Sequence, residues 1–315
     1  MNKIQYGTMD KPLSINNPDF TKTGNSVWNQ QYMEYLTENY FPNIDPATLP
    51  QEQDTFLANY PKWIASSKLN KFKGLDAFKH RFVSLGVTQA LDYWHYWCQA
   101  NGYNLKVYRG EYPYNRDAQI NNPMEWGDSI DDIPLQKGDA VIVSVPFSGT
   151  GKKPEHWQKL INTCNDLDIP VFVDCAWFGT CFGIEINLNE ECIKMVAFST
   201  TKGLSCGNWR SGITFSRENK GSLAVQTEWY HGIHLNLAIA NSLMKEFSPD
   251  TIAKKYKEAH VAVCEHYGFE TTNTVHIGIA PAGPDWDAYH RDGTYNRINI
   301  AKAIKRYKNK GNFYE

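Results

Sequence analysis

Between Phe82 and Ser216 the chain alternates short apolar or β-branched runs with stretches of helical length, and no other feature limits its fold as tightly. The runs are Phe82 to Leu85, Leu105 to Tyr108, Ala140 to Val145, Val171 to Val173, Met195 to Phe198 and Gly212 to Phe215. Thr88 to Ala100 and Glu155 to Asp166 have helical length and spacing, and Gly102 and Pro170 punctuate their ends before the next run. Parallel strands need crossover connections of this kind, so the pattern predicts an α/β fold with a mostly parallel sheet. Beyond Lys220 a helical pattern runs to about Tyr267, followed by a strand expected at Val275 to Ile279 and a helix near Ile300 to Tyr307. That reads as a smaller α+β C-terminal domain. Residues 1–60 are rich in Asn, Pro, Tyr and acidic side chains with little periodicity, as an arm with a short helix would be. The expected division is 1–60 as arm and small-domain segment, 61–220 as the large domain and 221–315 as the small C-terminal domain.

With 315 residues and 42% hydrophobic content, the chain can bury one large core and a smaller dependent one. Its 32 basic and 34 acidic residues give no global field that would recruit nucleic acid, an anionic membrane or a polyacidic substrate. Any anion must be held by local groups. The cluster Lys302, Lys305, Arg306, Lys308 and Lys310 reads as a solvated helix face. The 7 cysteines are odd in number and form no CxxC pair, which argues against a disulfide framework or a zinc site and fits a reducing cytoplasm. Met1 to Phe20 is polar, with no apolar core of a signal peptide, and no run is long enough to cross a bilayer. No repeat or low-complexity segment occurs.

Ligands of parallel α/β sheets bind at the carboxyl ends of the strands, so the residues after each run are the candidates for chemistry. Gly86-Val87-Thr88-Gln89 opens a helix, where free backbone N–H groups and the helix dipole can hold a phosphate; alone, this is also an ordinary helix start. Ser148 to Lys153 is not a nucleotide P-loop, because Pro146 stands where that motif needs Gly and Lys153 where it needs Ser or Thr. Asp174 ends a buried run, and a charge there needs a partner. Lys202 follows the run Met195 to Phe198 directly, flanked by hydroxyls and glycines, a placement that suits reactivity better than a solvated surface charge. His231 and His234 are spaced for a metal but lack a third ligand at recognisable spacing, and Trp94 and Trp97 read as a helix-face core. No metal site is expected.

Ser199-Thr200-Thr201-Lys202, with Arg210 eight residues after the lysine and Gly212 two after that, resembles the signature of fold-type I pyridoxal-phosphate (PLP) enzymes, specifically class I/II aminotransferases. Other segments fall in the family's order. Gly86 to Leu91 resembles its phosphate turn, Glu111-Tyr112-Pro113 the segment with the ring-stacking aromatic, and Pro146 to Gly151 its Pro-Asn-x-Pro-x-Gly loop. Val173 to Trp177 resembles Asp-x-Ala-Tyr, and Arg297-Ile298-Asn299 the substrate-carboxylate arginine. The resemblance covers about residues 70–300. It implies a three-layer α/β/α large domain that binds pyridoxal 5'-phosphate, and transfer of an amino group between an amino acid and a 2-oxo acid. It also implies a homodimer.

Carried over by position, Lys202 would hold the cofactor as a Schiff base and shuttle the proton, Asp174 would pair with the pyridine nitrogen, and Tyr112 would stack on the ring. Arg210, Ser199 and Thr88, with the N–H groups of Val87 and Thr88 after Gly86, would hold the phosphate. Arg297 would grip the substrate α-carboxylate; its plain alternative is a surface ion pair. The chain departs from the family at Ser148 and Trp177, where Asn and Tyr usually reach the phenolic oxygen. Lys71-Phe72-Lys73-Gly74 also lacks the hydroxyl that a partner subunit usually contributes, and the stretch from Lys220 to Arg297 is short for the family. Those departures keep open a PLP-dependent decarboxylase, lyase or aldol-type enzyme, and a non-catalytic member of the fold is the third alternative.

Overall fold

The computed structural model describes residues 19–118, 129–291 and 295–310. The first 18 residues of the expected arm lie outside the described residues. Helices α1 (Gln30–Tyr35) and α2 (Glu52–Ala65) precede strands β1 (Lys71–Lys73) and β2 (His80–Ser84). Helix α3 (Val87–Ala100) leads to β3 (Asn104–Lys106), the single turn α4 (Tyr114–Asp117) precedes β4 (Asp139–Ser144), and α5 (Trp157–Asp166) leads to β5 (Val171–Cys175). Next come β6 (Glu185–Asn187), β7 (Ile193–Ser199), the short turn α6 (Thr200–Gly203) and β8 (Gly212–Ser216). The chain continues through α7 (Ser222–Glu228), α8 (His234–Glu246), α9 (Thr251–Tyr267), β9 (Glu270–Thr271), β10 (Ile277–Ala280), β11 (Asn296–Asn299) and α10 (Ala301–Lys310).

The apolar runs between Phe82 and Ser216 form the main sheet, a 6-stranded one in the order β2-β8-β7-β5-β4-β3. Strands β3, β4, β5 and β7 are parallel to one another, while β8 runs antiparallel to both β7 and β2. Side chains alternate across a strand, so each run feeds two cores. Val141 and Val143 of β4 join the core under α2, α5 and α8, whereas Ala140 and Ile142 join the core under α3 and α7. Burial on both faces is why these runs are continuously apolar, and it gives the three layers α/β/α. Each such Val or Ile contributes about 1.5–3 kcal/mol through burial. Trp94 of α3 is core, as its helical spacing predicts, stacked on Trp97 at 4.8 Å and tilted against Phe172.

The helical stretch after Lys220 is three helices. Tyr230 adopts a positive φ and Gly232 follows it, ending α7, while Ser248-Pro249 separates α8 from α9. Gly268 at φ +69° closes α9 in the left-handed conformation. Strands β9, β10 and β11 form a separate antiparallel sheet in the order β11-β10-β9. Lys71 to Lys73, which carries no strand signal in the sequence, pairs in parallel with β6. Both lysines bond Glu185 at the surface.

The arm is fastened at β11. Thr21 and Asn299 exchange backbone hydrogen bonds, and the Asn299 amide donates to the Thr23 carbonyl at 3.0 Å and to the Asn25 carbonyl at 2.7 Å. Residues 22–25 are thereby laid over the carboxyl end of the main sheet, where they line the cleft described next. No helix among the described residues is long and apolar enough to cross a membrane.

Candidate active site

The ends of β4, β5 and β7 and the start of α3 open into one cleft of about 370 Å³. Val87, Thr88, Tyr112, Ser148, Asp174, Trp177, Ser199, Lys202, Arg210 and Arg297 all line it. Gly86 lies immediately behind, at φ +83°, where a Cβ would sit 3.1 Å from Ser199 Oγ and 3.4 Å from an Arg210 Nη. Only glycine both adopts that backbone and leaves the cradle open.

Lys202 owes its position to how the hydroxyls around it divide their work. Thr200 is buried and anchors the turn to β8, its N–H and Oγ1 each 3.0 Å from the Ser211 carbonyl. Ser199 caps α6 by accepting from the Thr201 N–H, and both of their hydroxyls face the cleft 2.9 Å apart. Behind the lysine, a Cβ on Gly203 would lie 2.8 Å from the Phe178 carbonyl oxygen and 2.9 Å from Gly179 Cα. The loop after β5 therefore touches α6 backbone to backbone, which sets Lys202 against Asp174. Lys202 Nζ donates to Asn25 Oδ1 at 3.3 Å.

Asp174 is 5% exposed and accepts from the Ala176 N–H at 2.7 Å. Burial pushes its carboxyl up to about 7; the Ala176 hydrogen bond opposes that rise, Glu111 adds to it and Lys202 opposes it. At the Gly86 turn, an Arg210 Nη donates to Thr88 Oγ1 at 3.1 Å and Nε to the Leu85 carbonyl at 3.4 Å. The start of α3 has no side-chain cap, which leaves its first N–H groups without an intrahelical partner, and Val87 and Thr88 line the cleft with Arg210. Tyr112 stands at the mouth, 37% exposed, its ring nearly parallel to that of Tyr114 at 5.8 Å.

Arg297 is no surface ion pair. It is 1% exposed, no carboxylate pairs with it among the described residues, and its Nη atoms donate to the carbonyls of Ser148, Lys22 and Thr23 at 3.0, 2.5 and 3.5 Å. Among the described residues its Nε has no hydrogen-bond partner. Burial, together with Arg291, holds its pKa below the usual range. The guanidinium lies 5.5 Å from the Trp177 ring, whose other contact is an edge-on His276 at 5.2 Å. The tryptophan at the departure position thus packs on the arginine. Ser148, the other departure, receives a hydrogen bond on its carbonyl from Arg297 and gives its N–H to Ser144 Oγ at 2.7 Å.

Several lining residues carried no sequence signal: Lys22 to Asn25, Thr201 and Arg291. The arm residues have no periodicity to mark them, and their role depends on β11, far along the chain. Thr201 follows from Ser199 once α6 is known to be a single turn. Among the described residues no group of His, Cys, Asp or Glu is arranged to hold a metal.

The sequence model described as Aminotransferase class I and II matches residues 91–261. That is more than half of the chain. The chain belongs to the class I and II aminotransferase family. The matched span contains Asp174, Lys202 and Arg210, while the phosphate turn and Arg297 lie outside it. No curated protein sequence matches. Solved structures with the same fold include an aromatic aminotransferase from Pyrococcus horikoshii, 14% identical over 91% of each chain with a TM-score of 0.61. A tyrosine aminotransferase from Leishmania infantum is 14% identical over 94% of each chain, TM-score 0.57. An aspartate aminotransferase from Thermotoga maritima is 12% identical over 91% of this chain and 90% of its own, TM-score 0.57.

As an aminotransferase of this family the protein is a transferase that uses PLP to move an amino group between an amino acid and a 2-oxo acid. The residues present fit that cofactor. A buried carboxylate faces the cleft beside Lys202, and the Gly86 cradle is kept open beside an arginine and an uncapped helix start.

Proposed function

We propose that Lys202, Asp174 and Arg210 are the centre of the PLP site of this aminotransferase. The carrying observation is that a lysine held against a buried aspartate opens into the same cleft as the Gly86 turn and Arg210. Lys202 would hold the cofactor as a Schiff base through Nζ. Asp174 would face a proton-bearing ring nitrogen, the positive partner that its buried charge requires. Bound there, the cofactor supplies an electron sink for charge developing at the substrate α-carbon. Once an incoming substrate amine displaces it from the cofactor, Lys202 Nζ would be free to lift the α-proton and return it, and Asn25 would keep that amine directed at the cleft. Arg210, Ser199, Thr88 and the N–H groups of Val87 and Thr88 would hold the phosphate, and Tyr112 would cover the ring.

Arg297 would take the substrate α-carboxylate. Three of its five N–H groups go to carbonyls, so the Nε–H and one Nη1–H are the donors left for that contact. Ser148 and Trp177 complete that end of the cleft. Residues 61–220 would form the cofactor-binding domain together with α2, α7 and α8, which cover its sheet, leaving the rest of 1–60 as arm and small-domain segment and the rest of 221–315 as the small domain. A homodimer fits the exposed Leu85, Val225, Trp229, Tyr230 and Leu235, since Leu85 precedes the phosphate turn and Asn236 bonds the Arg210 carbonyl. The free and buried cysteines support a reducing cytoplasm.

Borohydride reduction of protein mixed with PLP tests the centre. Wild type should fix one cofactor per chain at Lys202, and Lys202→Ala should fix none. With a panel of amino acids the wild type should release 2-oxo acid and accumulate pyridoxamine phosphate. Release of carbon dioxide or an eliminated group in their place would refute amino transfer.

A further inference from the structure

We infer that Glu111 is a positioning residue of the cofactor site, a single buried carboxylate that sets three of its walls at once. The inference rests on the PLP assignment above. Glu111 is 1% exposed and forms no salt bridge among the described residues. Every hydrogen bond it makes is one it accepts. The N–H of Tyr112 donates to Oε1 at 2.9 Å, the N–H of Ser144 donates to Oε2 at 2.9 Å, and the Ser144 hydroxyl donates to Oε1. An acceptor-only environment suits the ionised form, although burial raises the pKa of this carboxyl.

The two donor residues tie Glu111 to separate walls, and Ser144 reaches a third through its strand pairing. Tyr112 is the aromatic at the cleft mouth, so its backbone, and with it the ring, is tied to Glu111. Ser144 gives its hydroxyl proton to Glu111 and accepts the Ser148 N–H at 2.7 Å, which orients the loop carrying Ser148 and the carbonyl that grips Arg297. Ser144 is also the register partner of Asp174 across β4 and β5. The charged groups facing Glu111 are Asp174 from β5 and Arg291 from the segment before β11; Lys202 on α6 faces Asp174. A negative charge behind Asp174 favours positive charge on whatever the cleft binds.

Glu111→Gln preserves size and removes the charge, and it turns an NH2 group toward one of the donors. Relative to wild type, PLP should dissociate about tenfold more readily. The pH midpoint of the visible absorption of lysine-bound PLP should fall, because a nearby negative charge that stabilises the protonated form is lost. The visible circular dichroism of the bound cofactor should change as the ring tilts, while far-ultraviolet dichroism stays that of wild type. A variant with unchanged PLP affinity, midpoint and visible dichroism overturns the inference. So does one that loses thermal stability alone. If Glu111→Gln fails to fold, Ser144→Ala replaces it, cutting the link to Ser148, and the same unchanged readings overturn the inference. Failure of the PLP assignment is distinct: wild type itself would then bind no borohydride-fixable cofactor at Lys202.

Discussion

Asp174 carries its carboxyl into the interior at the end of β5 with one backbone N–H to satisfy it, and the consequence for stability has a definite sign. The carboxyl is raised from an ordinary 3.8 to about 7 in the folded protein, so the fold binds that proton more tightly than the unfolded chain does. Without cofactor, stability therefore falls as pH rises from about 4 to about 7 and stays at the lower level above that. Asp174→Asn removes the penalty. Its apoprotein should melt above the wild-type apoprotein at pH 8, with the gap narrowing toward pH 5; equal gaps at both values would contradict the assignment. The same substitution should weaken PLP binding, since in the proposed site it removes the charge that would face the ring nitrogen. Lys202 and Asp174 were legible in the sequence because each follows an apolar run, and Arg210 only through its fixed offset from the lysine in the family resemblance. Glu111 was not. It also follows an apolar segment, but nothing local shows that its three donors come from its own neighbour and from Ser144, thirty-three positions on.

Turn α6 is short, and its accuracy comes from contact with the loop after β5, not from its own hydrogen bonds. Gly203→Ala would place a methyl group 2.8 Å from a carbonyl oxygen and 2.9 Å from a Cα, both backbone atoms that cannot rotate away. The turn must move, and Lys202 with it. The variant should lose most of its borohydride-fixable cofactor while its cores, which do not include residue 203, keep the melting temperature within a few degrees. Normal cofactor loading would show that the contact is dispensable. Among the elements, the main-sheet strands were readable to within a few residues because burial on both faces makes them continuously apolar. The pair β1 and β6 was not, since Lys71 and Lys73 are charged and exposed and only Phe72 turns toward the core. The three helices after Lys220 merged in the sequence because their breaks depend on the conformation at Tyr230 and on Ser248-Pro249, not on any loss of helical periodicity.

At the scale of the molecule, the phosphate end of the cleft is flanked by apolar side chains that face solvent in a single chain, Trp229 at 62% exposure among them. In solution the protein should have twice the 36.1 kDa mass of one chain. Trp229→Glu should shift it toward monomer and lower PLP retention with it; a variant that becomes monomeric yet retains cofactor as wild type does would separate the patch from the site. The fold class was plain from strand and helix order, but the closure of the cleft was not, because it joins distant parts of the chain. Residues 22–25 form one wall only because Asn299 holds them there. During synthesis that wall has nothing to attach to until β11 has left the ribosome, although the main sheet, the lysine and the phosphate turn are already available. In the proposed site, cofactor capture with the complete geometry would wait for β11, and a chain truncated before β11 should present Lys202 without Asn25 held beside it.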